Sequence, residues 1–399
     1  MKIGIYGGTF NPPHLGHMTS ARLAMEMLGL DRLLFVPAAI PPHKALPEGS
    51  PSPEDRLAMT VIAADSLLLR DKVAVDDLEL RREGKSFTVD TLRQFREEYP
   101  GDELWFLMGS DMLFSLPDWH LPEEICALAG LAAFARSEGD EPERMEVQAE
   151  RLRADYGARV TVLRLPEVVE VSSTRLRAQL AGGEGAEFLP PSVYGYILRM
   201  GLYGTHKDLR HLTDAELRAC SLSMVYAKRH AHILGVEEEA VRLARRWGAD
   251  EELARRAGIL HDCTKYLELE QQLQICDEYG IVLDDLERIS VKLLHSKTGA
   301  ALARHLYGQP EEICQAIFWH TTGKADMTRL EKIIYLADYM EPNRDFPGVE
   351  ELRKLCYEDL DAALQMGLEM SIEELRERGV PIHRNTQGAL DWLLEHRKG

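Results

Sequence analysis

Apolar and polar positions follow two different rhythms along this chain. Through the first half, short apolar runs are separated by longer stretches with helical spacing. Lys2–Tyr6, Arg32–Val36, Lys72–Val75, Leu104–Met108, Leu131–Ala135 and Val160–Leu165 read as strands. Leu15–Leu28, Pro53–Leu68, Thr88–Glu98 and Ser173–Ala181 read as helices, and Leu15, Ala21, Met25 and Leu28 fall near one face. This alternation predicts an α/β domain whose parallel sheet is covered on both faces, with right-handed crossovers and ligands at the carboxyl ends of the strands. The polar run Glu138–Glu146 predicts a solvated loop.

The rhythm changes after Tyr203. Gly204-Thr205-His206-Lys207-Asp208 is polar and reads as a linker. From Thr213 onward only helical periodicity remains, opened by the capping box Thr213-Asp214-Ala215-Glu216. The expected organisation is an α/β domain over 1–203, a linker over 204–210, and an all-α domain over 211–399.

Composition narrows the class. The chain of 399 residues is 45% apolar and 28% charged, as in ordinary globular proteins. Its net charge of -19 argues against nonspecific nucleic-acid binding, which needs a basic face. No apolar run approaches the roughly 18 residues a membrane helix requires, so no membrane association is expected. Glycine interrupts the first apolar run, Ile3-Gly4-Ile5-Tyr6-Gly7, which reads as a strand rather than a signal peptide. Cys126, Cys220, Cys263, Cys276, Cys314 and Cys356 are scattered without a CxxC pair, which fits reduced thiols and a cytoplasmic location. Homo-oligomerisation is left open.

Two sets of histidines carry the candidate chemistry. Gly7-Gly8-Thr9-Phe10-Asn11-Pro12-Pro13-His14-Leu15-Gly16-His17 lies between a strand and a helix. Its glycines allow close backbone approach, and the helix N-terminus favours an anion. His14 and His17 share one side of the first helical turn. The spacing permits metal binding, but no carboxylate lies nearby as a third ligand; donors to a polyphosphate fit better. A plain glycine turn with surface histidines is the competing reading. Val171-Ser172-Ser173-Thr174-Arg175-Leu176-Arg177 places hydroxyls and arginine at a second helix start, either as caps or as phosphate contacts.

Together these stretches resemble the nucleotidyltransferase superfamily. Pro41-Pro42-His43-Lys44, Ser86-Phe87-Thr88-Val89-Asp90-Thr91-Leu92 and Gly109-Ser110-Asp111-Met112 with Trp119 narrow the resemblance to bacterial nicotinate-nucleotide adenylyltransferases, over Met1 to about Tyr203. Phe87 departs from the tyrosine that family often carries. The resemblance implies a Rossmann-like, doubly wound α/β domain that joins ATP and nicotinate mononucleotide into nicotinate adenine dinucleotide and releases pyrophosphate, with Mg²⁺ on the ATP. The implied phosphate handlers are His14, His17, Lys44 and Arg175. Nucleotide contacts fall to Gly7, Gly8, Thr9, Phe10, Gly109, Asp111, Ser172, Ser173 and Thr174, and contacts to the acceptor to Thr88, Trp119 and Arg136. A related transferase acting on another phosphorylated acceptor is the runner-up.

The second set is buried by periodicity. Leu253, Ala257 and His261 form one helical row, and Ala254, Gly258 and Asp262 the next. Asp338 follows Ile334 by four, His320 follows Ala316 by four, and His295 opens a row with Gly299 and Leu302. Any one of these alone reads as a core residue with a partner. Several on inward faces of separate helices predict a metal centre inside a bundle. Imidazole and carboxylate without thiolate suit iron, manganese, zinc or magnesium in a reactive site, iron foremost.

This half resembles the HD-domain metal-dependent phosphohydrolases through His232, His261-Asp262 and Asp338. More narrowly it is similar to the HD-type symmetrical bis(5′-nucleosyl)-tetraphosphatases, through Arg229–Val236, His261–Lys265, His295–Ala300, His320–Gly323 and Ala337–Arg344. That resemblance implies one metal on His232, His261, Asp262 and Asp338, and a second on Asp262, His295 and His320. It also implies Lys265 and Arg344 near the polyphosphate, and dinucleoside polyphosphates as substrates. A catalytically silent, nucleotide-binding HD module is the rival reading, as is hydrolysis of another nucleotide. His305 and His383 read as surface or packing histidines, and Cys263 as pointing away from the site.

Overall fold

The computed structural model describes residues 1–40, 46–134, 142–164 and 171–396. The chain divides into two compact units, Met1–His206 and Lys207–Gly399. No helix among the described residues is long and apolar enough to cross a membrane.

The first unit is built on six parallel strands: β1 (Lys2–Gly8), β2 (Arg32–Pro37), β3 (Val73–Val75), β4 (Glu103–Gly109), β5 (Gly130–Phe134) and β6 (Val160–Leu163). They lie in the order β3-β2-β1-β4-β5-β6. In β1, Ile3 pairs with Arg32 on one side and Leu104 on the other. The helices are α1 (Leu15–Leu28), α2 (Pro53–Asp65), α3 (Thr88–Glu98), α4 (Ser110–Ser115), α5 (Pro122–Leu128), α6 (Pro142–Tyr156), α7 (Ser173–Ala181) and α8 (Pro191–Met200). The strands alternate between two cores, as their two-residue period requires. Ile3, Ile5, Leu34, Phe106 and Leu131 pack with Leu92, Phe95, Ile125 and Met145. Tyr6, Leu33, Phe35, Leu107 and Ala132 pack with Ala21, Met59, Leu176 and Ile197. This is the doubly wound α/β fold the alternation predicts.

Two local expectations change. The polar run is not a loop throughout: α6 starts at Pro142 and buries Met145, Ala149 and Leu152 at spacings of four and three, while Glu138–Glu141 lie outside the described residues. Helix α2 stops at Asp65, before Leu68 adopts a left-handed φ of 58°. Ala135 and Leu165, the expected strand ends, also lie outside the described residues.

The second unit is helical: α9 (Asp214–Leu222), α10 (His230–Trp247), α11 (Glu251–Leu260), α12 (Leu269–Glu278), α13 (Val291–His305), α14 (Glu311–Trp319), α15 (Arg329–Met340), α16 (Val349–Glu358), α17 (Leu360–Glu377) and α18 (Arg384–His396). The Thr213 capping box is present, with Glu216 accepting from the Thr213 N–H and also paired with Lys207. Helices α10 and α11 pack closely because Gly258 has no side chain; a Cβ there would lie 2.9 Å from the Glu237 Cα.

Candidate active sites

Sequence-adjacent strands depart in opposite directions on either side of the β1–β4 pair, so the crevice at their carboxyl ends is the topological switch point of the sheet. The Gly7–His17 turn leaves β1 there, and Gly109 ends β4 there as the N-cap of α4. His14 is the N-cap of α1 and is buried at 6% exposure; His17 is the third residue of the helix. Their rings lie 3.7 Å apart between centroids. The His14 backbone N–H donates to His17 Nδ1 at 3.2 Å. A neutral His17 therefore carries its proton on Nε2, as a donor.

Residues that the sequence reading missed hold this turn. Arg56, fully buried on α2, donates to the carbonyl oxygens of Thr9 (2.9 Å), Ala38 (2.5 Å) and Ala39 (3.1 Å). The Tyr203 hydroxyl donates to Asn11 Oδ1 at 2.7 Å, and Arg177 donates to the Asn11 carbonyl at 2.8 Å. Phe10 takes a left-handed φ of 44° and wedges its ring between Tyr6, His17 and Phe35. Such a backbone persists only where its surroundings over-determine it. Burial draws the Arg56 pKa below the usual arginine value and pushes the Tyr203 phenol up.

Arg175 is exposed at the start of α7, and Arg177 is the arginine of that helix that ties it to the turn. Ser172 is the N-cap, yet its hydroxyl accepts no cap hydrogen bond; Ser173 and Thr174 form the first turn. Thr88 opens α3, and Asp111 is exposed in the first turn of α4. Trp119 is half-buried, edge-on to Phe106, with its indole N–H donating to Ser115 Oγ at 3.2 Å. Phe87 packs on His120 at 4.8 Å between centroids. Lys44 and Arg136, with the rest of Pro41–Lys44, lie outside the described residues.

In the second unit the structure brings His232, His261, Asp262, His295, His320 and Asp338 together. His261 and His320 each follow the last turn of a helix, α11 and α14, rather than lying within it. Each ring is fixed by a hydrogen bond from Nδ1 to the carbonyl three residues back, Gly258 at 2.7 Å and Ile317 at 2.6 Å. Those bonds leave both Nε2 lone pairs facing inward. The His261 lone pair meets His232 Nε2 at 3.2 Å, and the His320 lone pair meets His295 Nε2 at 3.1 Å. Asp262, fully buried, divides its two oxygens: Oδ1 lies 3.1 Å from His295 and 3.7 Å from His320, and Oδ2 lies 3.5 Å from His261 and 3.8 Å from His232. Asp338 Oδ1 sits 3.0 Å from His232 Nε2. Imidazole nitrogens converging in pairs on shared carboxylate oxygens are a donor set for cations, and two groups here meet metal-ligand spacing: His232 with His261 and Asp262, and Asp262 with His295 and His320.

A surrounding layer orients these donors. Glu341 accepts from His232 Nδ1 at 3.0 Å. Gly235 leaves the room Glu341 occupies, since a Cβ there would collide with the carboxylate. Arg229 Nε donates to Asp262 Oδ2 at 2.7 Å, Lys265 Nζ to Asp262 Oδ1 at 3.2 Å, and Arg344 to Asp338 Oδ1 at 2.8 Å. Burial alone would raise the Asp262 carboxyl, but His261 and Lys265 hold it well below the usual carboxylate range. Burial, then Lys265, pushes His295 down to about 4. Burial opposes the rise in His232, which Asp338 and Glu341 produce. Asp262 and His295 thus present an ionised carboxylate beside a neutral imidazole, the state metal binding needs, whereas His232 must give up a proton to a bound cation. Cys263 is buried outside both ligand groups.

His305 stacks on Tyr279 at 4.3 Å, a packing role. His383 is buried between Asp284 (3.0 Å) and Glu287 (3.3 Å), and Lys297 closes that cluster on Glu287 at 2.5 Å. It clasps the segment before α13 to the start of α18.

The first unit is an α/β nucleotidyltransferase domain: its fold and switch-point turn are those of a cytidylyltransferase-like family whose model matches residues 5–179. A "Probable nicotinate-nucleotide adenylyltransferase" of Aeromonas hydrophila is 42% identical over 214 residues, covering 50% of this chain and 96% of the relative. The protein of that name from Shouchella clausii is 36% identical over 209 residues, covering 52% of this chain and 99% of the relative. The chain belongs, through its first half, to the nicotinate-nucleotide adenylyltransferase family. The second half carries an HD domain, whose family model matches residues 229–343. A solved Clostridium acetobutylicum structure, titled as a predicted HD superfamily hydrolase involved in NAD metabolism, is 41% identical, with a TM-score of 0.46, covering 47% of this chain and 99% of its own.

Proposed function

We propose that the chain is a bifunctional enzyme. Its first half transfers the adenylyl group of ATP to nicotinate mononucleotide. A phosphate oxygen of the mononucleotide attacks the α-phosphorus of ATP. The bond to the bridging oxygen breaks, and pyrophosphate leaves with the electron pair. The nucleophile is already ionised near neutral pH, so the protein need only align the reactants and neutralise charge. His17 Nε2–H and His14 at the α1 N-terminus serve the phosphates, joined by Lys44 and Arg175. Gly7–Phe10, Gly109, Asp111 and Ser172–Thr174 form the nucleotide side, and Thr88, Trp119 and Arg136 the pyridine side. Membership in the adenylyltransferase family over nearly the whole length of the relatives carries this reading. Acceptor competition tests it: nicotinate mononucleotide should be used in preference to nicotinamide mononucleotide and to phosphopantetheine.

The second half, in this reading, hydrolyses diadenosine tetraphosphate with one water to two ADP. His232, His261, Asp262 and Asp338 would hold one divalent metal, and Asp262, His295 and His320 another. Bound there, such ions activate a water and stabilise phosphoryl oxygens. Lys265 and Arg344 would turn from their carboxylates toward the polyphosphate. The division of the Asp262 oxygens between two imidazole pairs supports the two-metal part of this reading. Metal analysis of protein loaded with Mn²⁺ tests it: two ions per chain are expected, and one or fewer in Asp262→Asn. A wild-type chain that retains no metal would overturn it.

A further inference from the structure

The rim of the metal centre carries an aromatic pair that the ligand scheme leaves without a role. Tyr226 and Tyr266 meet edge to face, 4.7 Å between centroids. Lys228 places its ammonium over both rings, 6.0 Å from Tyr226 and 5.7 Å from Tyr266. Tyr226 is 46% exposed, so its ring is reachable from solvent. Both tyrosines belong to segments that end at the centre. Lys228 precedes Arg229, which reaches Asp262 Oδ2, and Tyr266 follows Lys265, which reaches Asp262 Oδ1. The same two segments that meet through Arg229 and Asp262 thus meet again through the tyrosines, one step farther out.

We propose that Tyr226 and Tyr266 form the platform on which the second site stacks a nucleobase, with Lys228 set against the adjoining phosphates. This rests on the reading of that site as a nucleoside-polyphosphate hydrolase, and makes it selective for substrates that carry a base. Phosphates drawn to the ligand cluster leave the rest of a nucleotide at its mouth. An exposed aromatic face there binds any base by stacking, and the ammonium adds charge for the polyphosphate without reading sequence. The alternative role, a solvated cation–π contact that only stiffens the loops, predicts no dependence on the base.

Photolabelling with 8-azido-ADP, mapped by mass spectrometry on the Mn²⁺-loaded full chain, locates the base independently of turnover. Label is expected in peptides containing Tyr226 or Tyr266, lost in Tyr226→Ala/Tyr266→Ala and retained in Tyr226→Phe/Tyr266→Phe. Label only in the first unit, or elsewhere in the second, overturns the platform. In parallel, the double alanine variant should raise KM for diadenosine tetraphosphate about tenfold, with kcat little changed, as loss of one base–aromatic stack requires. Label on the tyrosines without cleavage would keep the platform and remove the hydrolase reading. Cleavage by the alanine variant with wild-type KM would keep the hydrolase and remove the platform.

Discussion

Arg56 offers a test of how the adenylyltransferase turn is built. Its guanidinium is buried and spans three backbone carbonyls, one in the Thr9 turn and two in the residues that follow β2. Arg56→Met keeps the apolar stem and deletes the fork. Each buried carbonyl left short of a donor costs about 1–3 kcal/mol. Removing the desolvated charge returns part of that sum, because burial disfavours the ionised guanidinium. The net loss should be about 3 kcal/mol. Arg56→Lys restores one donor group but not the planar fork, and should recover only part of it. Activity should fall as well, because the turn that carries Phe10 and His14 loses its anchor; displacement of a positioning element by about 1 Å costs on the order of 100-fold. Hydrogen exchange of the β1 and β4 amides reads the stability of this unit, and adenylyl transfer well below its unfolding temperature reads the turn. An Arg56→Met protein with β-sheet protection unchanged to about 0.5 kcal/mol and activity within about threefold would refute the reasoning.

Three further outcomes follow from the same geometry. His17→Ala should lower kcat for adenylyl transfer on the order of 100-fold, with a smaller change in KM, as loss of a donor to transition-state charge does; steady-state kinetics decide. Glu341→Gln should weaken metal binding about 10–100-fold by loosening His232, read by metal competition with a chelator. Glu79 is buried, with its carboxyl raised from 4.5 to about 7 by burial, against the Thr91 hydrogen bond. Its folded pKa exceeds the unfolded one, so its contribution is complete below about pH 4.5 and is lost as pH rises toward about 7, a difference of about 3 kcal/mol. Glu79→Gln should therefore match the wild type near pH 4.5 and be the more stable protein above pH 7; equal pH dependence of the two would contradict this.

Much of this arrangement was legible in the sequence. The Gly7-Gly8 pair, the apolar run before it and the His14–His17 spacing mark the first strand–turn–helix, because those residue types are dictated locally. The inward rows through His261, His295 and His320 mark the second site, because polar groups on apolar faces are costly unless used. Arg56 was not legible: an arginine in an amphipathic helix reads as solvated until tertiary packing buries it. Arg177 and Tyr203 reach Asn11 across 166 and 192 residues of sequence, which no local pattern encodes. The start of α6 hides among charges, with only Met145, Ala149 and Leu152 marking its buried face. Glu341 lies within the Ala337–Arg344 stretch, but its role depends on the space Gly235 leaves on another helix.

The most direct test of the two-activity account gives purified full-length protein diadenosine tetraphosphate with Mn²⁺ or anaerobic Fe²⁺, and separates the products by anion exchange. The account predicts two ADP from the wild type, none from His261→Ala/Asp262→Ala, and unchanged adenylyl transfer in both. AMP plus ATP, or no turnover by a fully metal-loaded wild type, would contradict it.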